Sequence, residues 1–366
     1  MEKTLSEVYD RKNNSFDLAR IILALMVIYS HSYPLWGRAG GDVIQRFSNG
    51  RFSAGSVAVS GFFVISGFLI TQSIMNSSSK KHFLFKRILR IIPGFLACLC
   101  VCAFIIGPIF SELPLREYFI DKGNGPFNFV FKNITFNLFG EAWGIHDVFA
   151  SNPFPSSING SIWTLKWEVV GYCATCLFLS LQLFKHRRVF LGSTIVMFIL
   201  YLLDSNGYSM VSGELAKYSA WFSVKYYSDF VKLMYYYMSG TCIYLYRDRI
   251  LLYWKWGIAL LCILVMSIPS KSADVAMMII FPYLLISTCA GIRNISVRYR
   301  NMEVSYGLYM YSFPIQQVVC RIMGPQTEGL MLMAVTLILT LIITVVTWKL
   351  IDEPFLKVRE NIAKNK

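Results

Sequence analysis

Two stretches of this sequence run for twenty residues without a charge: Ile91–Phe110 and Gly329–Trp348. About 20 apolar residues at a rise of ~1.5 Å cross a hydrocarbon core ~30 Å thick. A soluble helix of that length would carry a polar stripe, and these carry none. The whole chain shares the bias. Of its 366 residues 55% are hydrophobic and 15% charged, a balance outside the soluble range. The reading is an all-α, polytopic membrane helix bundle. About ten transmembrane helices are expected, at 16–36, 56–75, 91–111, 162–184, 189–203, 228–246, 251–270, 274–292, 303–323 and 328–350. The fifth to seventh are short or interrupted by Lys232 and Lys255.

Sidedness follows from the loop cations. With the N-terminus inside, and with Arg321 and Lys349 at span ends counted with the adjoining segments, inner segments hold 21 Lys and Arg and outer loops 10. Both termini are therefore expected in the cytoplasm. The first 20 residues carry charges of both signs and no apolar run, so the first span is expected to serve as an uncleaved membrane signal. The net charge of +14 could suggest nucleic acid. The cations lie between apolar spans, however, so membrane lipids are expected as partners and nucleic acid is not. A single domain over 1–366 is expected, without an internal repeat or an added soluble domain. Its longest outside loop, 112–161, is either functional or a passive connector.

The nine cysteines lie in or beside apolar segments. Cys98, Cys100 and Cys102 point in different directions on a helix, so they make no metal site there. Cys173-x-x-Cys176 has redox spacing, but small packing or lipid-facing residues are the simpler reading. No metal is expected.

Ionisable groups inside a bilayer are costly and are candidates for function. Arg20 and His31 are eleven steps apart. At 100° a step they share one helix face, ~16 Å apart along the axis. A lone His in a span can also be a packing residue. Arg87 and Arg90 are i, i+3 neighbours at the inner end of the third span. They read either as an anchor to anionic lipid or as a phosphate clamp. In Gly61-Phe-Phe-Val-Ile-Ser66-Gly67-Phe68, small residues permit close helix approach, while Ser66 could line a substrate channel. Glu168 lies in the outer half of the fourth span. It could orient an imidazole at the depth of His31, or pair with Lys166 as structure. Asp352 and Glu353, at the inner end of the last span, read as a helix-end anchor or as partners of the Arg cluster.

Taken in order, these residues resemble a known family: the integral-membrane acyltransferases (family three) that O-acetylate bacterial surface polysaccharides. The carrying motifs are Phe16-Asp-Leu-Ala-Arg20 with ten residues to His31, Phe62-Phe-Val-Ile-Ser66-Gly67-Phe68 and Arg87-x-x-Arg90-x-x-Pro93. They continue with Trp163-Thr-Leu-x-Trp-Glu168-x-x-x-Tyr172, Ser305-Tyr306-Gly307-x-Tyr309 and Asp352-Glu353-Pro354. The resemblance implies functional roles for Arg20, His31, Arg87 and Arg90. Many members carry a His after the Tyr-Gly-x-Tyr element; here the run is Tyr309-Met-Tyr-Ser312-Phe-Pro314.

The expected function is transfer of an acyl group, acetyl in the commonest case of the family, from cytoplasmic acyl-CoA to a hydroxyl of a surface or lipid-linked glycan. Acetyl-CoA is the expected co-substrate, and a bacterial inner membrane the expected location. Arg20, Arg87 and Arg90 would bind its phosphates and His31 would act as base or nucleophile. Glu168 would orient His31, while Ser66 and Tyr309 stand as channel-lining candidates. The rival readings are a transporter or flippase for a lipid-linked sugar and a structural subunit of a glycan-assembly complex. No inverted repeat or pair of Gly/Pro-broken spans supports the transporter.

Overall fold

The computed structural model describes residues 3–77, 79–155, 157–208, 224–292 and 304–357, and most of them are helical. The expected inner-loop cations at 293–300 and beyond 357 lie outside the described residues. Helices α1 (Leu5–Val8), α2 (Phe16–Leu35), α3 (Val43–Phe47), α4 (Ala54–Met75) and α5 (Lys80–Cys100) come first. A π-helical turn, Val101–Ile106, and α6 (Gly107–Phe110) continue α5. Helices α7 (Leu115–Ile120) and α8 (Pro126–Ile134) follow. A 3-10 turn, Ile162–Thr164, opens α9 (Leu165–Ser180). Then come α10 (Arg187–Ser205), α11 (Val224–Leu245), α12 (Trp254–Ser267), α13 (Ala273–Gly291), α14 (Val304–Met323) and α15 (Gly329–Thr347). Among the described residues the only strands are β1 (Lys3–Thr4) and β2 (Leu251–Leu252), paired antiparallel.

All ten expected segments contain a helix, and among the described residues seven helical stretches are long and apolar enough to cross a membrane. The chain is a multi-pass membrane protein. The other three are α11, α12 and α14. Helix α11 carries Lys225, Asp229 and Lys232. Helix α12 has 14 residues and reaches only ~21 Å. Helix α14 is buried along nearly its whole length, Ser305 to Cys320, so it can be polar where a lipid-facing helix cannot. Helix α15 shows the lipid-facing pattern. Against the expectation of no polar stripe in Gly329–Trp348, its buried row is Leu332, Thr336, Thr340, Thr344 and Thr347, uncharged hydroxyls that hydropathy does not mark, while Leu330 is 76% and Ile338 58% exposed. Burying threonines and exposing aliphatics reverses the soluble-helix rule and suits a hydrocarbon surround.

The described residues fall into two compact units. One lies within Met1–Leu23, Val43–Phe83 and Trp167–Val297. Its main helix pair is α4 against α11, crossing through reciprocal glycines. A Cβ on Gly67 would stand 1.9 Å from the Tyr237 carbonyl oxygen, and one on Gly240 2.0 Å from that of Val64. Thr71 Oγ1 donates to the Gly67 carbonyl (2.7 Å), and it and Thr241 Oγ1 are 3.0 Å apart. Pro282 removes a backbone donor within α13, freeing the carbonyl four residues earlier. That carbonyl, of Met278, accepts the Tyr235 hydroxyl at 2.8 Å. Segments assigned to the same side by the cation count are tied together. Arg187 reaches both carboxylate oxygens of Asp248 at 2.8 Å, and β1 pairs with β2 beside that loop. Arg51 and Asp274, both assigned to the outer side by that count, meet at 3.2 Å.

The other unit lies within Ala24–Asp42, Leu84–Lys166 and Arg298–Lys366, and α14 is central to it. Pro314 frees the Met310 carbonyl, which accepts from Asn159 Nδ2 (2.9 Å) and Cys98 Sγ (3.4 Å). The 112–161 segment is folded, not a bare connector. Tyr118 donates to the Ala103 carbonyl (2.7 Å) in the π-helical stretch, where Gly107 leaves room for its hydroxyl. Gln317 Nε2 donates to the carbonyls of Phe154 (2.6 Å) and Ser157 (2.9 Å). Asn152 Nδ2 donates to the Gln317 backbone and side-chain oxygens, at 3.0 and 2.9 Å. At the far end of the segment, Asp121 takes the amides of Gly123 and Asn124 (2.8 and 3.1 Å) and meets His146 Nδ1 at 3.0 Å. The two amides, then His146, hold the Asp121 carboxyl below the usual carboxylate range.

Candidate active site

His31 stands on α2, three residues before Pro34. The residue is half-buried. The imidazole lies edge-on to Phe313 of α14, 5.2 Å between centroids at 78°. Phe313 is seated because residue 160 is glycine: a Cβ there would come within 2.6 Å of the phenyl ring. One α-helical turn back along α2, the Ile28 carbonyl accepts from Gln316 Nε2 at 2.9 Å. Helices α2 and α14 thus meet with His31 against Phe313 and Ile28 against Gln316. His31 Nδ1 is buried with no hydrogen-bond partner among the described residues. Beside it in sequence, Ser30 Oγ donates to Asp42 at 2.8 Å, a carboxylate only 1% exposed.

The same unit holds Arg87 and Arg90, both partly buried on α5. Gly94, one turn beyond Arg90, makes room for an incoming acidic residue. A Cβ on it would stand 2.8 Å from Asp352 Oδ1 and 3.1 Å from the Tyr306 ring. Tyr306 also donates to the Ile91 carbonyl at 2.9 Å. Asp352 therefore packs onto the helix of the two arginines, while Glu353 pairs with Lys357 at 2.9 Å. Tyr309 is buried, and its hydroxyl lies 2.7 Å from Thr164 Oγ1.

Arg20, Ser66 and Glu168 belong to the other unit. Arg20 shares the continuous helix α2 with His31 and meets Asp17, i, i−3, at 3.4 Å. Ser66 is partly buried on α4, next to the Gly67 crossing. Glu168 accepts the Tyr172 hydroxyl within α9, and the Tyr172 ring stands edge-on to Phe83. All nine cysteines are free thiols. Among the described residues no group of three or more His, Cys, Asp or Glu is placed to hold a metal ion.

The sequence reading missed four polar residues of the unit that holds His31: Asp42, Asn159, Ser312 and Gln316. The Asn159 contact had a signal, since a proline inside an apolar helix leaves a carbonyl needing a donor. Gln316 and Ser312 had another, an i, i+4 polar pair within an expected span. Asp42 had none, because a loop carboxylate carries no periodicity.

A family model described as an acyltransferase domain matches residues 13–349. Among curated proteins, the chain is 28% identical to an "O-acetyl transferase" of Shigella phage Sf6, covering 94% of this chain and 96% of that protein. It is 24% identical to "Nodulation protein 10" of Rhizobium leguminosarum bv. viciae, covering 96% and 95%. No solved structure matches the chain.

Proposed function

The chain belongs to this acyltransferase family, and from that premise we propose a membrane O-acetyltransferase that moves acetyl from cytoplasmic acetyl-CoA to a hydroxyl of a surface polysaccharide or its lipid-linked precursor. The membrane is a bacterial inner membrane in this reading, with both termini on the cytoplasmic side. Acyl-transfer chemistry displaces the transporter and structural-subunit readings. The observation that carries the proposal is His31. It is a half-buried histidine on a membrane helix, its ring braced by Phe313, in a chain similar over nearly its full length to a protein named an O-acetyl transferase.

In this reading His31 takes the proton of the acceptor hydroxyl as general base. The oxygen attacks the thioester carbonyl and the C–S bond breaks. The coenzyme A thiolate leaves with the proton that His31 returns. Arg87 and Arg90, neighbours on one helix, hold phosphate oxygens of the donor's head. On α2 itself Arg20 stands ~16 Å along the axis from His31, a span matched to the thin thioester arm.

The test is transfer of label from radiolabelled acetyl-CoA to glycan in membranes, with His31→Ala at matched expression. The variant is expected to lose ~10²-fold or more of the transfer rate. Full activity in folded His31→Ala would remove His31 from the chemistry.

A further inference from the structure

Where α2 meets α14, several polar groups are buried without a partner among the described residues. The Gln316 side chain is fully buried. Its orientation is forced: the group facing the Ile28 carbonyl at 2.9 Å must be the amide nitrogen, because a carbonyl oxygen can only accept. Oε1 is then fixed as well, and it is buried with no donor. Ser312, one turn earlier, is fully buried with its Oγ unpartnered. His31 Nδ1 is in the same condition, and its ring touches Phe313, the residue between them in sequence. Trp36, just past the end of α2, buries its indole N–H without an acceptor and packs in one cluster with Phe313.

Buried polar groups in native proteins are almost always paired, so each unpaired one needs an explanation. For a helical threonine or serine the explanation can be trivial, since its hydroxyl can turn back to the carbonyl four residues earlier. Thr336, Thr340 and Thr344 of α15 fall in that class, and so does Ser312, which counts here only as a hydroxyl one turn from Gln316 that can turn to a ligand. The Gln316 amide does not, because its nitrogen bond holds it in place, and neither an imidazole nor an indole has such a rotor. Together these groups offer an acceptor oxygen, an acceptor or donor nitrogen, a donor N–H and a hydroxyl. None carries a fixed charge, and aromatic faces lie beside them. That chemistry suits a neutral ring bearing hydroxyls, with polar edges and C–H faces. It does not suit a phosphate.

We propose that Gln316, Ser312 and Trp36 form the subsite that holds the acceptor's sugar ring beside His31, with Gln316 Oε1 taking a hydrogen bond from a sugar hydroxyl. This rests on the acetyltransferase reading above for the identity of the ligand.

Two readouts separate the two ideas. The first is steady-state transfer from labelled acetyl-CoA to surface polysaccharide stripped of its esters by mild base, comparing wild type with Gln316→Met and Ser312→Ala. The acceptor KM is expected to rise about tenfold in Gln316→Met, with the acetyl-CoA KM unchanged. Equal loss in both constants would mark Gln316 as structural and overturn the subsite. The second needs no turnover: carbethoxylation of His31 by diethyl pyrocarbonate, followed by peptide mass spectrometry with and without the stripped polysaccharide. Protection in wild type that is lost in Gln316→Met supports the subsite even if no label is transferred, in which case the acetyltransferase reading alone fails. Absence of protection in wild type overturns the subsite whatever the activity.

Discussion

At the scale of single residues, the membrane interior makes each unpaired backbone group expensive, and this chain answers with named side chains. Asn159 is the clearest case. Its amide meets the Met310 carbonyl that Pro314 frees, and its own oxygen takes the Ser161 amide at 3.1 Å. Asn159→Ala is expected to cost about 1–3 kcal/mol. In a Pro314→Ala background the helix regains its own donor, so the same substitution should cost markedly less. Thermal unfolding of the four proteins in detergent measures the coupling, and additive costs would show that Asn159 does not serve the proline. Tyr235 does the same work for Pro282. In both helices the proline is read directly from sequence, whereas its rescuer stands 155 or 47 positions away and becomes visible only on folding.

Among elements, the crossing of α4 and α11 depends on absent side chains. The motif around Gly61–Phe68 suggested close approach, and Gly67 delivers it, with Gly240 of α11 as its counterpart. Gly67→Ala would drive a methyl into the Tyr237 carbonyl, so the helices must separate. The expected loss is about 2–3 kcal/mol, the range of overpacking. Gly192, in α10, has nothing within 4 Å of a Cβ position, and Gly192→Ala should be neutral or stabilising by ~0.5–1 kcal/mol. Equal melting temperatures for the two variants would contradict the crossing. The long 112–161 segment shows the opposite balance. Phe127 and Phe139 are 62% and 65% exposed, yet Phe127 packs at 5.3 Å on Phe104 of the spanning helix, and Phe131 stacks on Phe139 at 5.6 Å. Its tether to Gln317 on α14 makes it part of one unit with His31.

For the whole molecule, the cation count sorts segments by side, and the cross-links inside each unit join segments of the same assigned side. Arg187 with Asp248 joins inner segments and Arg51 with Asp274 outer ones. In the other unit, Arg38 Nη2 reaches the Thr327 carbonyl at 2.8 Å, again between outer segments. An alkaline phosphatase fused at His146 is expected to be active, and one fused after Lys357 inactive, because that enzyme matures only outside the cytoplasm. The reverse pattern would invert the orientation.

Charge-free blocks, the loop-cation bias and the order of short motifs determined by themselves that this is a helical membrane acyltransferase and that His31, Arg87 and Arg90 are the residues to examine. Those signals are local or additive along the chain, so sequence carries them directly. Three of the ten expected helices are less apolar or shorter than the seven that are long and apolar enough to span, and α14 shows why. Hydropathy reports which helices face lipid, and a helix enclosed by its neighbours is free to carry Ser305, Ser312, Gln316 and Gln317. Only the tertiary structure decided that α14 lies against α2, that Gly160 seats the ring bracing His31, and that Asp352 packs on Gly94 beside the two arginines. Each of these is a contact between residues far apart in sequence, fixed by shape and by the need to pair every buried polar group. Neither periodicity nor composition encodes such a contact.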